Sequence, residues 1–250
     1  YKDATTNELF GAIGYLSQID LYKNKDRTNQ LLTPKILLRY APGHMRKEEN
    51  GARLNHLNVF NLDRLNSYNN YENGLSAALG FDYEAKNVDR KINISVGQVV
   101  KEKENKDMPS TTSLDTKMSD LVGNTTLEIN DSIKLNYNMA LDQNYKDLNY
   151  NEVGADLNLN KIKFNFSYLQ EREHIGNQEY VKSNIEIPKG DNGIFSFSTK
   201  RNLITDSSEY YNLSYEYLND CLRAGIVYRR EFYDDSELES ENSLMFKVTF

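Results

Sequence analysis

The sequence predicts an all-β protein, an antiparallel up-and-down transmembrane β-barrel. Three observations predict it. Apolar residues recur at every second position through one segment after another, the period of a strand. Tight connections alternate with long polar ones. The chain also closes on such a segment: Leu244, Phe246, Val248 and Phe250 alternate with Met245, Lys247 and Thr249. A half-apolar strand ending on an aromatic suits a sheet that faces lipid on one side.

Composition agrees with this reading once its geometry is considered. Mean hydropathy is −0.72, but a spanning strand needs only about ten residues with alternate ones apolar, so a barrel averages out as hydrophilic. No apolar run is long enough for a transmembrane helix. A net charge of −7 argues against a general nucleic-acid binder. Tyr is abundant at 18, which suits the aromatic belts of a barrel and equally suits soluble sheets. The single cysteine, Cys221, has no partner for a disulfide within the chain.

Taken in order, thirteen segments read as strands. The first, 8–21, alternates poorly. The second, 30–41, carries Leu32, Ile36, Leu38 and Tyr40. Pro42-Gly43 then opens a polar stretch to about 70. From 71, Leu75, Ala77, Leu79, Phe81 and Tyr83 share one face, and in 91–101 Ile92, Ile94 and Val96 do. After a polar stretch come 119–129 and 132–141, the latter with Ile133, Leu135, Tyr137, Met139 and Leu141 on one face. The segments 148–159, 161–170, 179–187, 193–202, 207–218, 221–233 and 242–250 complete the series.

Sidedness follows by parity. The turns at Asn130-Asp131, Asn160 and Leu218-Asn219-Asp220 are tight, whereas 102–118, 142–147, 171–178, 203–206 and 234–241 are longer and polar. Outer-membrane barrels keep short turns on the periplasmic side. The stretch 42–70 is then one folded external loop, able to dip into the lumen, and Cys221 sits at a periplasmic turn. A soluble sandwich would alternate too, but not its connection lengths. Thirteen is an odd count where single-chain bacterial barrels are even, so part of a larger barrel is expected to lie N-terminal to this segment.

Two stretches carry a resemblance. One is Phe60-Asn61-Leu62-Asp63-Arg64-Leu65 followed by Tyr71-Glu72-Asn73-Gly74 and the strand Leu75 to Tyr83. The other is Tyr215-Glu216-Tyr217-Leu218-Asn219-Asp220-Cys221-Leu222, running into Tyr228, Phe232 and Tyr233. Together they resemble the C-terminal barrel region of the lipopolysaccharide-assembly protein family LptD (OstA, organic solvent tolerance protein). The resemblance implies a barrel of roughly twenty-six strands, of which this chain is half, in the outer membrane of a Gram-negative bacterium. It implies lipopolysaccharide (LPS) as substrate, an LptE-like plug lipoprotein and an LptA-like periplasmic bridge as partners, and an N-terminal periplasmic domain outside this chain. The lipid would leave through a lateral gate between first and last strands, which makes 242–250, with Leu244, Phe246, Val248 and Phe250, the gate strand. It also implies a disulfide from Cys221 to the periplasmic domain. The family often has two adjacent cysteines there, and Leu222 takes the second place here.

Other residues are weighed on their own chemistry. Asp63 and Arg64 would anchor the external loop over the lumen by an ion pair or hydrogen bonds. Glu216 and Arg223 face the lumen by alternation and, across a tight 218–221 turn, would stand directly opposite as an ion pair. The histidines His44, His56 and His174 fall in external loops with no recognisable catalytic arrangement, and no metal-ligand spacing or phosphate loop appears. Asp234-Asp235 and Glu237, Glu239 and Glu241 form an acidic loop read as a solvated surface. No catalytic residue, metal or cofactor is expected. A porin-like passive channel is the alternative, since it would share the alternation, loops and terminal aromatic.

Overall fold

The computed structural model describes residues 11–25, 27–65, 67, 70–174, 176–219, 221–232 and 242–249. Fourteen strands form one antiparallel sheet, and one short 3-10 turn is the only helical element among these residues. The strands are β1 (Ile13–Gln18), β2 (Leu21–Lys25), β3 (Thr28–Ala41), β4 (Gly74–Lys86), β5 (Arg90–Lys101), β6 (Leu121–Ile129) and β7 (Ile133–Leu141). They continue as β8 (Leu148–Leu159), β9 (Ile162–Glu171), β10 (Gln178–Lys189), β11 (Gly193–Asn202), β12 (Ser207–Leu218), β13 (Arg223–Glu231) and β14 (Asn242–Thr249). Each strand from β3 onward pairs with its sequence neighbours. The sheet is open: β14 does not pair with β1 or β2.

Of the first expected strand, 8–21, the described part holds β1, and β2 starts at its last residue and runs on into the expected connection. β1 pairs with Tyr40 to Lys35 and β2 with Leu32 to Thr28, so both lie along one edge of β3. The break at Ile19-Asp20 faces Thr33-Pro34. Ile19 N–H donates to Pro34 O at 3.3 Å, so Pro34's nitrogen, which has no hydrogen to give, points at the same edge. Asp20 instead accepts from Thr33 Oγ1 at 2.8 Å. The ladder therefore has thirteen positions although fourteen strands occur. Pro188, expected in a connection, lies within β10, next to its end.

The connections alternate as the sequence indicated. Asn160-Lys161 has positive φ at both residues (48° and 75°), the geometry of a two-residue hairpin turn that follows strand twist. At the other end, 42–73 and 102–120 are long. The two faces of the sheet differ in the same systematic way. One carries Leu38, Leu79, Leu135, Val153, Phe197, Leu213 and Phe246, all exposed, with nothing packed over them among the described residues. The other is polar, with side-chain amides bonded across strands. Asn124 donates to Asn138 at 2.7 Å and Asn138 to Glu152 at 2.9 Å. Asn165 likewise donates to Asp156 at 2.7 Å.

The core lies on the polar side, between the sheet and the two long loops. Met45, Leu54, Val59, Leu65, Met108 and Leu114 from the loops meet Leu37, Ala78, Val99, Val122 and Ala140 from β3 to β7. The sheet makes room with small residues. A Cβ on Gly97 would stand 2.8 Å from Val59 Cγ1, and one on Gly80, its partner across the ladder, 2.9 Å from Phe60 Cζ. These two glycines are where the 42–73 loop descends onto the sheet.

Candidate functional site

The loops are held by a buried charged cluster. Glu72, at the end of the 42–73 loop, has a fully buried side chain. Its Oε2 accepts from Arg64 Nε at 2.8 Å, and its Oε1 lies 3.2 Å from Lys101 Nζ. Arg39 Nη1 is 3.9 Å from Glu72 Oε2, while its Nη2 donates to the Glu72 main-chain oxygen at 2.8 Å. The three cations also bond outward. Arg39 Nε donates to Leu62 O at 2.6 Å, Arg64 Nη2 to Ser76 Oγ at 2.8 Å, and Lys101 Nζ to Leu114 O at 2.6 Å. Strands β3 and β5 and both loops thus converge on one carboxylate. Burial pushes the Glu72 carboxyl up, but Arg64, Lys101 and Arg39 outweigh it and hold it below the usual carboxylate value.

Further contacts tie the loops to each other and to the far strands. Asn70 accepts from Arg46 N–H at 3.1 Å and donates to Arg46 O at 2.8 Å, closing the 42–73 loop on itself. Glu48 N–H donates to Asp107 O at 2.9 Å, and Thr111 Oγ1 to Gly51 O at 3.0 Å. Arg53, near the loop's middle, stacks 3.5 Å from the Tyr150 ring centre and pairs with Glu171. His174 Nε2 lies 2.6 Å from Asp120 Oδ2, beside a polar cleft of about 540 Å³.

Each sequence-derived candidate has a place in this arrangement. Arg64 sits in the charged cluster; Asp63 is half-buried and electrostatically coupled to Arg39. Glu216 and Arg223 share the polar face and are bonded, Nη2 to Oε2 at 2.7 Å. They are diagonal, however, not directly opposite. The turn is Asn219 to Leu222, which sets Leu218 against Arg223 and Glu216 against Gly225. Cys221 is an exposed thiol in that turn, where its N–H donates to Asn219 Oδ1 at 3.0 Å. On β14, Leu244, Phe246 and Val248 project from the apolar face. Phe250 and the acidic 233–241 connection lie outside the described residues.

Sequence reasoning missed Glu72, Arg39 and Lys101 as a unit. Arg39 and Lys101 occupy polar-face positions, where charge is ordinary, and Glu72 is one carboxylate among many in a loop. Asp120 with His174 was also missed, because 54 residues separate them. Among the described residues, no group of His, Cys, Asp or Glu could hold a metal ion. No helix is long and apolar enough to cross a membrane, which says nothing about strands.

An up-and-down sheet with a bare apolar face and a polar face that carries its own folded loops is built as the strands of barrel-forming membrane proteins are. Within that class, the family model for LPS transport system D (LptD) matches residues 2–193, and the chain belongs to that family. It is a transport and assembly family, not an enzyme family. The match spans β1 to β10 and reaches the first residue of β11, so Cys221 and β14 lie outside it. No curated protein matches the chain.

Proposed function

We propose that this chain is the C-terminal part of an outer-membrane barrel that assembles LPS at the cell surface. The observation that carries the reading is the family match over residues 2–193 of a sheet whose apolar face is left bare. The ladder adds support. With thirteen positions, its first and last strands run in the same direction, so closing it upon itself would need one parallel seam in an antiparallel sheet. An odd number of further strands would remove that problem, as expected for half of a barrel of roughly twenty-six. In lipid, unpaired strand edges are costly, so both edges need partners.

In this reading LPS leaves sideways through a seam between β14 and the first strand of the complete barrel, and no covalent bond changes. The periplasmic domain, bridged to an LptA-like protein, would deliver the lipid; Cys221 would tie that domain to the barrel by a disulfide. An LptE-like lipoprotein would fill the part of the lumen that the 42–73 and 102–120 loops leave open. Arg64 and Asp63, with Glu72, would anchor the loop over the lumen. The packing of both loops over the polar face of β3 to β8 speaks against a passive porin-like channel.

The test uses the full-length protein with cysteines placed at Phe246 and at the facing position of the first barrel strand. Locking the pair with a crosslinker is expected to stop arrival of new LPS at the cell surface, and cleaving a reducible crosslinker to restore it. Normal arrival with the seam locked would overturn the gate.

A further inference from the structure

We propose that His174 is a pH-operated latch that fastens the 102–120 loop to the rim of β9. The geometry favours a charged ring. His174 Nδ1 lies 3.0 Å from the main-chain oxygen of Ser110, which can only accept a hydrogen bond. His174 Nε2 lies 2.6 Å from Asp120 Oδ2, and Asn149 Nδ2 donates to that same oxygen at 3.0 Å, as suits an ionised carboxylate. Asn149 Nδ2 also lies 3.4 Å from Nε2, but the closest atom to each ring nitrogen is an acceptor, and both of these close contacts are hydrogen bonds when both nitrogens carry protons. A neutral ring turns one of them into a contact between two lone pairs.

The surroundings favour the charged form. Asp120 stands at the entry to β6 and is buried. Glu171, the last residue of β9, accepts from His174 N–H at 3.4 Å, and its other oxygen is taken by Arg53 from the 42–73 loop. Arg172, Glu173, Asp115, Asp142 and Asp147 line the adjoining cleft of about 540 Å³, so acidic groups outnumber basic ones around the ring. Burial alone pushes the His174 value down; the hydrogen bond and charge of Asp120, then Ser110 and Glu171, outweigh it and raise it above the ordinary 6.5.

The consequence is directional. A raised value means the latch is closed below pH 6.5 and releases as pH rises through the folded value above it. Ser110 opens the short turn Ser110–Thr112, which leads into the buried Leu114 that Lys101 holds. Release at His174 therefore loosens the 102–120 loop from its β9 side while the Glu72 cluster keeps its other side in place. Access to the cleft at this end of the polar face then depends on pH.

The experiment uses the full-length protein in lipid nanodiscs, from about pH 5 to about pH 8, where histidine changes charge. Amide exchange of residues 110–114, corrected for its intrinsic pH dependence, is expected to rise several-fold across that range. His174→Gln, with a single donor group in place of two, is expected to show the high exchange throughout and no pH step. Identical corrected profiles for the two proteins would overturn the latch. Exchange of the imidazole C2 hydrogen in the unaltered protein reports the His174 midpoint directly and does not depend on the variant folding. A midpoint above 6.5 supports the proposal, and one at or below 6.5 overturns it.

Discussion

Replacing Glu72 by Gln tests whether the charged cluster holds the 42–73 and 102–120 loops on the sheet. The substitution keeps the size of the side chain, removes the negative charge and turns one of the two acceptor oxygens into an amide donor. Arg39, Arg64 and Lys101 then remain as three buried cations around a neutral amide. Breaking a buried ion pair from one side costs roughly 3–5 kcal/mol, and three partners left at once put this case at the upper end. At about 1.4 kcal/mol for each factor of ten, the open form of the 42–73 loop should become roughly a thousandfold or more better populated. Lys101→Met provides the contrast. It removes one of two surplus positive charges, keeps an unbranched apolar stem, and leaves the Leu114 oxygen without its donor and Glu72 Oε1 without the cation beside it, while Arg64 and Arg39 still neutralise the carboxylate. It should cost about 1–3 kcal/mol, clearly less than Glu72→Gln. The assay is limited proteolysis of the full-length protein in nanodiscs, read as the cleavage rate within 42–73, with single-channel leak as a second measure. Equal cleavage rates for the unaltered protein, Glu72→Gln and Lys101→Met would refute the reasoning. Since the Glu72 carboxyl is held below its ordinary 4.5, its contribution is present above that pH and is lost only as pH falls through the lower folded value. The loop should therefore stay closed from neutral pH down to at least 4.5.

Gly97→Val should displace Val59, whose Cγ1 would stand 2.8 Å from the new Cβ, at a cost of about 1–3 kcal/mol, visible as increased amide exchange at 58–60. Glu216→Gln should change thermal stability by at most about 1 kcal/mol, because the Arg223 and Glu216 side chains are 51% and 34% exposed. A larger loss would mean that the pair is buried by a partner in the whole assembly. Cys221 in oxidised full-length protein should resist maleimide until a reductant is added, and immediate labelling would remove the proposed disulfide.

The strand pattern was legible because alternation follows directly from the pleat and, among the described residues, the apolar face has no packing partner to blur it. The boundaries of β8, β11 and β12 are those of the sequence segments, and the short and long connections keep their order. Where the reading failed, a tertiary contact decided the outcome. β1 and β2 are separated opposite Pro34, which has no donor to give to that edge, and no pattern within 8–21 reveals this or the β2 that follows. Glu216 and Arg223 are diagonal because Asn219 caps a turn one residue further along than assumed. The 42–70 stretch was legible as a folded loop but not as a core element. Its Met45, Leu54, Val59 and Leu65 have no regular spacing because they pack from irregular backbone onto strands that are read elsewhere in the sequence. Arg64 drew notice through its motif, whereas Glu72, the carboxylate that binds it, stood in the same resemblance without an assigned role.

The distribution of these contacts bears on where such a sheet can open. The apolar core and the Glu72 cluster bind β3 to β8 through two loops as well as through their ladders. Toward the other edge, Arg201 with Asp206 is exposed, and Arg223 with Glu216 and Lys200 with Glu209 are partly exposed, none of them buried as the Glu72 cluster is. On β14, Phe246 is 74% exposed, and the strand is held among the described residues by its ladder to β13. Local stability follows buried contacts, so separation should begin at the β14 edge long before it reaches β5. A lateral gate requires that asymmetry. One side of the seam must yield without loosening the loops that fill the lumen. A barrel fastened evenly around its circumference could not part at one seam without comparable cost elsewhere. In the proposed transport, the loops that cover β3 to β8 would then do two things: block passive leakage on their own side, and concentrate rigidity away from the edge where the lipid would leave.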